Sequence, residues 1–228
     1  MNKYFYNVLL LFKNIKNYGL LEVSKIIFYE IFYIIRYRDL SSLSYNDDES
    51  STYENVKKKK IYDTPYIPTP FYFLKTICSF LKKKKNDNFL ILDLGCGYSR
   101  VQYFFSSYFD SFFFGVDINK KIINKLKKDK IKNSYFFNLN LRNDRDLITL
   151  IKKTKLIKKK KTLIVFFSDS FDIKLLEKVL KGLSSEFNFY CILINVKNTK
   201  FLSKKYKTLF VKKFKNPDRN IKIFKINE

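Results

Sequence analysis

The chain of 228 residues has no histidine, no alanine and no tryptophan, with one methionine, four prolines and five glycines. Without histidine there is no Ser-His-Asp or Cys-His catalysis, no histidine general base and no histidine-ligated metal. Any proton acceptor must be Asp, Glu, Tyr, Lys, Cys or water. Cysteine is nearly as scarce: Cys78, Cys96 and Cys191 are odd in number, widely spaced and form no Cys-x-x-Cys pair. That pattern implies a reducing, cytoplasmic setting and neither a disulfide framework nor a metal site. Long apolar runs are missing as well. Residues 4–12 are too short to span a bilayer, Lys13 follows them, and no small-x-small cleavage pattern comes next, so no signal peptide is expected.

What is abundant is Lys, Asn, Ile, Phe and Tyr, the residues of A/T-rich codons. The formal net charge of +25 is therefore partly compositional drift, and only six of the 46 basic residues are Arg, the residue that phosphate-reading surfaces favour. The lysine runs 57–60, 82–85 and 158–161 could track phosphates, but no RNA-binding motif accompanies them. Nucleic acid is a possible partner and not the favoured one. Against such a background a retained glycine is informative. Three of the five, Gly95, Gly97 and Gly115, fall within 21 residues of one another.

Taken in order, residues 1–38 read as an amphipathic extension of two helices rich in Phe and Tyr, with Glu30 breaking an otherwise apolar pattern. Such helices suit a cap on the following domain or a peripheral contact with an anionic membrane. Residues 39–63 read as a polar linker or loop. Three of the four prolines lie in Thr64–Pro70, an extended and stiff segment. There Thr69 is placed to cap, and Pro70 to start, a helix running to Leu81. From residue 64 to the end, strands at 89–94, 112–116, 134–138, 162–168, 188–195, 207–213 and 219–226 alternate with helices near 99–109, 119–130, 144–158, 172–184 and 198–205. The fold class expected is α/β: a seven-stranded, mostly parallel sheet with helices on both faces. The turn Asn216-Pro-Asp-Arg-Asn220 makes the last two strands an antiparallel hairpin.

The chemistry sits on Phe89-Leu-Ile-Leu-Asp-Leu-Gly-Cys-Gly-Tyr-Ser-Arg100. It reads as a strand, a glycine turn and a helix start, with Asp93 at the strand's end. Twenty residues after Gly97 the next strand ends in Asp117, and a glycine turn followed by such a carboxylate is how doubly wound folds hold a nucleoside. A dinucleotide fingerprint would want glycine where this chain has Arg100.

The turn Asp93-x-Gly95-x-Gly97-x-Ser99-Arg100, followed by Gly115-Val-Asp117, resembles the cofactor-binding motifs of class I S-adenosylmethionine-dependent methyltransferases. The likeness runs from about Tyr66 to the C-terminus. Tyr66-Ile-Pro-Thr-Pro70 resembles a segment that precedes the glycine turn in one group of bacterial methyltransferases, some of whose relatives methylate protein lysines. The resemblance implies S-adenosylmethionine as cofactor. The backbone of Gly95, Cys96 and Gly97 would run under its methionine part, Asp93 would order the ammonium, and Asp117 would accept both ribose hydroxyls. Ile118 would pack on adenine, Asn140 or Asn138 would stand in for the acid that meets the adenine amine, and Thr69 joins this cofactor group. Asp169 and Phe171, after the fourth strand, would face the acceptor with Tyr66. The acceptor itself is unidentified, with a mild preference for a protein or small-molecule amine. Asp169 also reads as a plain helix cap. Ser99 in place of glycine, Asn140 in place of an acid and Ser170 in place of proline keep an alternative open, a degenerate methyltransferase fold that binds RNA, membrane or a protein partner.

Overall fold

A computed structural model describes residues 3–36, 69–84, 88–129, 131–158, 161–168 and 172–227, without the side chains of 3–10 and 158. In chain order the described elements are α1 (Lys3–Tyr18), α2 (Leu20–Arg36), α3 (Phe71–Lys82), β1 (Phe89–Leu94), α4 (Arg100–Ser106), β2 (Phe112–Asp117), α5 (Lys120–Lys128), β3 (Ser134–Asn138), α6 (Asp144–Lys158), β4 (Thr162–Phe167), α7 (Ile173–Ser184), β5 (Phe189–Ile194), α8 (Lys200–Lys205), β6 (Lys207–Lys213) and β7 (Asn220–Ile226). One seven-stranded sheet runs in the order β3-β2-β1-β4-β5-β7-β6. The first five strands pair in parallel, whereas β7 lies antiparallel between β5 and β6. The hairpin expected at 216–220 is there, and the order places its second strand against the parallel sheet.

Alternation along the strands separates two cores. In β1, Phe89 and Ile91 join Ile164 and Phe166 of β4 on the face covered by α3 and α4, where Tyr33 of α2 also packs. Leu90, Leu92 and Leu94 join Leu163, Val165 and Phe167 on the opposite face, under α6 and α7. Every residue of β1 is buried, so the central strand reads as a continuous apolar run interrupted only by Asp93. A carboxylate buried in such a strand costs stability unless it is paired or hydrogen-bonded.

Most element ends fall within one to three residues of their expected places, and two helix starts differ for a visible reason. The helix expected from residue 99 begins at Arg100, because Ser99 stands in the left-handed region with φ 64°. The capping role expected of Thr69 is not made. No side chain at the Pro70 cap position bonds to the helix, and the Phe71 N–H instead donates to Glu30 Oε1 at 2.8 Å. Glu30 is thus no mere break in α2. It reaches across 41 residues to start α3.

Gly115, in the middle of β2, has a packing reason for being glycine. A Cβ there would lie 2.7 Å from Phe136 Cδ1 and 2.9 Å from the Gln102 side-chain amide. Gly115→Ala is expected to lower stability by about 1–3 kcal/mol through overpacking, measured by denaturant unfolding. It should also push Gln102 off the position described next.

Candidate active site

The C-terminal ends of β1 and β2 lie side by side, with Asp93 registered opposite Gly115. After β1 the chain turns back on itself through residues 95–99. Gly95 and Gly97 adopt φ of 79° and 48°, a region that side chains rarely occupy. The turn is strapped to β2 by its own backbone: the N–H groups of Gly95 and Cys96 both donate to Val116 O, at 2.8 and 3.0 Å. Asp117 completes the strap, accepting from Gly97 N at 2.9 Å through Oδ2 and from Asn119 N at 2.8 Å through Oδ1. The helix cap of α5 is Asn119, whose side chain accepts from Lys121 N and Ile122 N. Asp117 is therefore a loop anchor at the strand tip.

Asp93 is buried, and burial together with the nearby Asp117 charge pushes its carboxyl up from 3.8 to about 7. Gln102 eases it. With its amide nitrogen turned toward them, it donates to Asp93 Oδ2 and to Ser99 O, each at 3.2 Å. Gln102 is the chain's single glutamine. Sequence reasoning missed it, although the rarity that flagged the glycines applies equally here.

A cleft opens between the turn and the ends of β4 and β5. Thr69, Asp93, Gly95, Cys96, Arg100, Phe166, Phe167, Ser168 and Ile194 contribute to its lining. Four residues assigned to the cofactor from sequence, Thr69, Asp93, Gly95 and Cys96, thus border one cleft. Cys96 is buried, and loss of water, with Asp93 and Asp117 nearby, raises its thiol well above the ordinary value. Burial of this kind disfavours the thiolate, the reactive form of cysteine. Ile118 is exposed at the tip of β2. Asn138 spends its amide on the loop, donating to Asp117 O at 3.0 Å and Ile118 O at 2.8 Å. Asn140 is exposed, and its Oδ1 accepts from Arg142 N at 3.1 Å. Of the two candidates for meeting adenine, Asn138 is the one committed to holding the loop. Tyr66, Asp169 and Phe171 lie outside the described residues, but the cap role read for Asp169 belongs to Asp172, whose Oδ1 accepts from Leu175 N at 2.8 Å.

Arg100, noted from sequence only as the residue that breaks a dinucleotide pattern, has a structural role. Its Nη1 bonds both oxygens of Glu30, at 3.0 and 2.8 Å, and Thr69 O at 3.4 Å, and its guanidinium lies 4.4 Å from the Phe71 ring centre. A single cation therefore joins α2, the start of α3 and the helix that follows the glycine turn. No sequence signal pairs Glu30 with a residue 70 positions away.

Among the described residues no group of His, Cys, Asp and Glu could hold a metal ion. No protein-family model matches the chain, and no curated protein matches it. Solved structures do. A magnesium protoporphyrin IX methyltransferase from Synechocystis PCC 6803, solved with bound S-adenosylmethionine, is 14% identical, with a TM-score of 0.48 over 78% of this chain and 92% of that one. An RNA methyltransferase from Salinibacter ruber, in complex with S-adenosyl-L-homocysteine, is 12% identical, with a TM-score of 0.49 over 71% of this chain and 95% of that one. An N-methyltransferase from Bradyrhizobium japonicum WM9 is 8% identical, with a TM-score of 0.47 over 67% and 94%. Likeness at this level identifies neither substrate nor reaction.

Proposed function

We propose that this chain is an S-adenosylmethionine-dependent methyltransferase. The observation that carries the reading is the pair of carboxylates at the glycine turn. In a chain of net charge +25, the ends of β1 and β2 bring Asp93 and Asp117 close enough that the Asp117 charge raises the Asp93 pKa. Such a site favours a cation. It disfavours the pyrophosphate of a dinucleotide, which the buried Asp93 would repel. The chain's own residues fit the group: a positive ammonium beside Asp93 relieves the cost of ionising a buried acid, and the glycine backbone, without a Cβ, leaves room for close approach.

When bound, S-adenosylmethionine supplies a methyl group on a positively charged sulfur, a leaving group that needs no acid. The protein's work is then to hold and orient, and the missing histidine is no obstacle. In this reading Asp93 fixes the ammonium and Asp117 the ribose hydroxyls. The backbone of Gly95, Cys96 and Gly97 cradles the methionine part, with Thr69 opposite. Ile118 and Asn140 border the adenine. The acceptor enters at the end of β4, where Ser168 lines the cleft and Asp169 and Phe171 follow in the chain, with Tyr66 in the segment before α3. A protein or small-molecule amine is the acceptor class preferred.

The raised pKa of Asp93 gives a test with a defined sign. Between 3.8 and about 7 the folded chain holds a proton on Asp93 that the unfolded chain has lost. The cofactor-free protein therefore loses this contribution to stability as pH rises through that window. Binding a cation demands the ionised form, so affinity runs the other way. The Kd for S-adenosylmethionine is expected to be about tenfold weaker at pH 6 than at pH 8, the change in the ionised fraction of a group titrating near 7. Isothermal titration across this range checks it, with Asp93→Asn expected to flatten the profile. A wild-type affinity independent of pH would show that Asp93 does not meet the cationic group.

A further inference from the structure

Helix α2 is apolar on its outer side as well as on its inner one, where Val23 and Tyr33 are buried. Glu22 and Glu30, the carboxylates of α1 and α2, both turn inward: Glu22 pairs with Lys25 at 3.0 Å and Lys212 at 3.1 Å, and Glu30 with Arg100 at 2.8 Å. The side turned to water is apolar. Leu20, Ile27, Phe28, Ile31 and Ile35 recur at helical spacing along it, with Phe28 62% and Ile35 66% exposed. Leu11 and Phe12 of α1 are exposed as well. The helix cannot roll this face into the protein, because doing so would strand Arg100 without its counter-charge.

Charge says what covers such a face. Lys13, Lys16 and Arg36 stand exposed on the same two helices, and neither helix presents a free carboxylate to balance them. A second copy would bring the same cations and another +25 against this surface, so self-association is opposed by like charge. An anionic bilayer neutralises them. At 16 and 17 residues the helices suit the plane of the interface, and none of the described helices is long and apolar enough to cross a membrane.

We propose that the outward face of α1 and α2 docks on an anionic membrane surface. Phe28, Ile31 and Ile35 enter the boundary between headgroups and acyl chains, and Lys13, Lys16 and Arg36 meet the lipid phosphates and carboxylates. This site is separate from the cofactor cleft, and the proposal does not depend on the methyltransferase reading.

Flotation of the full chain with phosphatidylcholine vesicles, with and without one third phosphatidylserine, tests it. The chain floats with the anionic vesicles and stays below with the neutral ones, and high salt weakens the contact. Lys13→Gln with Lys16→Gln lowers binding on the order of tenfold. Phe28→Ser with Ile31→Ser abolishes it while circular dichroism stays unchanged, and the lysine pair keeps the test informative if that apolar pair fails to fold. A folded chain that ignores anionic vesicles, or binds them regardless of both variants, overturns the proposal. So does light scattering that finds a dimer which Phe28→Ser dissociates, since the face then belongs to a second copy.

Discussion

Replacing Asp117 with alanine is expected to weaken S-adenosylmethionine binding by about a hundredfold, the loss of two charge-assisted hydrogen bonds at roughly 1.5 kcal/mol each. The structure adds a reason beyond ligand contact. Both carboxylate oxygens already accept backbone N–H groups, Gly97 N at 2.9 Å and Asn119 N at 2.8 Å. Removing them frees the glycine turn from β2 at the point where the cofactor's methionine part would rest. A carboxylate oxygen has lone pairs for a second partner, so holding the turn and accepting a hydroxyl are compatible. Asp117→Asn separates the two jobs. Its amide oxygen can keep one backbone contact while the charge is gone, so the turn survives better than affinity does. Titration calorimetry gives the affinity and denaturant unfolding the stability. Wild-type affinity in Asp117→Ala would mean that another group recognises the ribose.

The second large effect is on stability. Glu30→Ala is expected to cost about 3 kcal/mol, because it leaves the Arg100 guanidinium buried without its counter-charge and the Phe71 N–H without its acceptor. Only 9% of the Arg100 side chain is exposed, so water cannot replace the lost partner. Thermal unfolding should fall by roughly 6–12 °C for a chain of this size. The double variant Glu30→Leu, Arg100→Met removes both charges and keeps apolar volume. It should recover most of the loss, as buried pairs replaced by apolar groups commonly do. If the single variant unfolds at the wild-type temperature, α2 is not fastened to the turn in the way its hydrogen bonds describe. Because Arg100 directly follows Ser99, the single variant should also loosen the turn and weaken cofactor binding several-fold.

These two residues mark where the sequence was legible and where it was not. The strands of the sheet could be read because both faces are covered, which turns β1, β4 and β5 into apolar runs bounded by turn residues. The glycine turn could be read because its backbone conformation demands glycine at Gly95 and Gly97, and a chain poor in glycine kept it there. Ser99 shows the same demand from the other side: it occupies φ 64°, where a glycine would be unstrained. Glu30 could not be read. A lone acid in an apolar helix looks like an interruption until Arg100 is seen beneath it. The cap expected at Thr69 failed for the same reason, since its role is filled by Glu30 from a distant helix. Gln102 and the protonation of Asp93 depend on burial and on a neighbouring strand, neither of which local spacing encodes. The acceptor half, Asp169, Phe171 and Tyr66, rests on the resemblance and on chain order alone.

Titration of the folded full chain with S-adenosylmethionine near pH 8, with a nicotinamide dinucleotide as the comparison ligand, tests the central claim most directly. The expected result is saturable one-to-one binding of S-adenosylmethionine well below millimolar concentration and no heat from the dinucleotide. A folded sample that takes up no S-adenosylmethionine at millimolar concentration, or that prefers the dinucleotide, contradicts it.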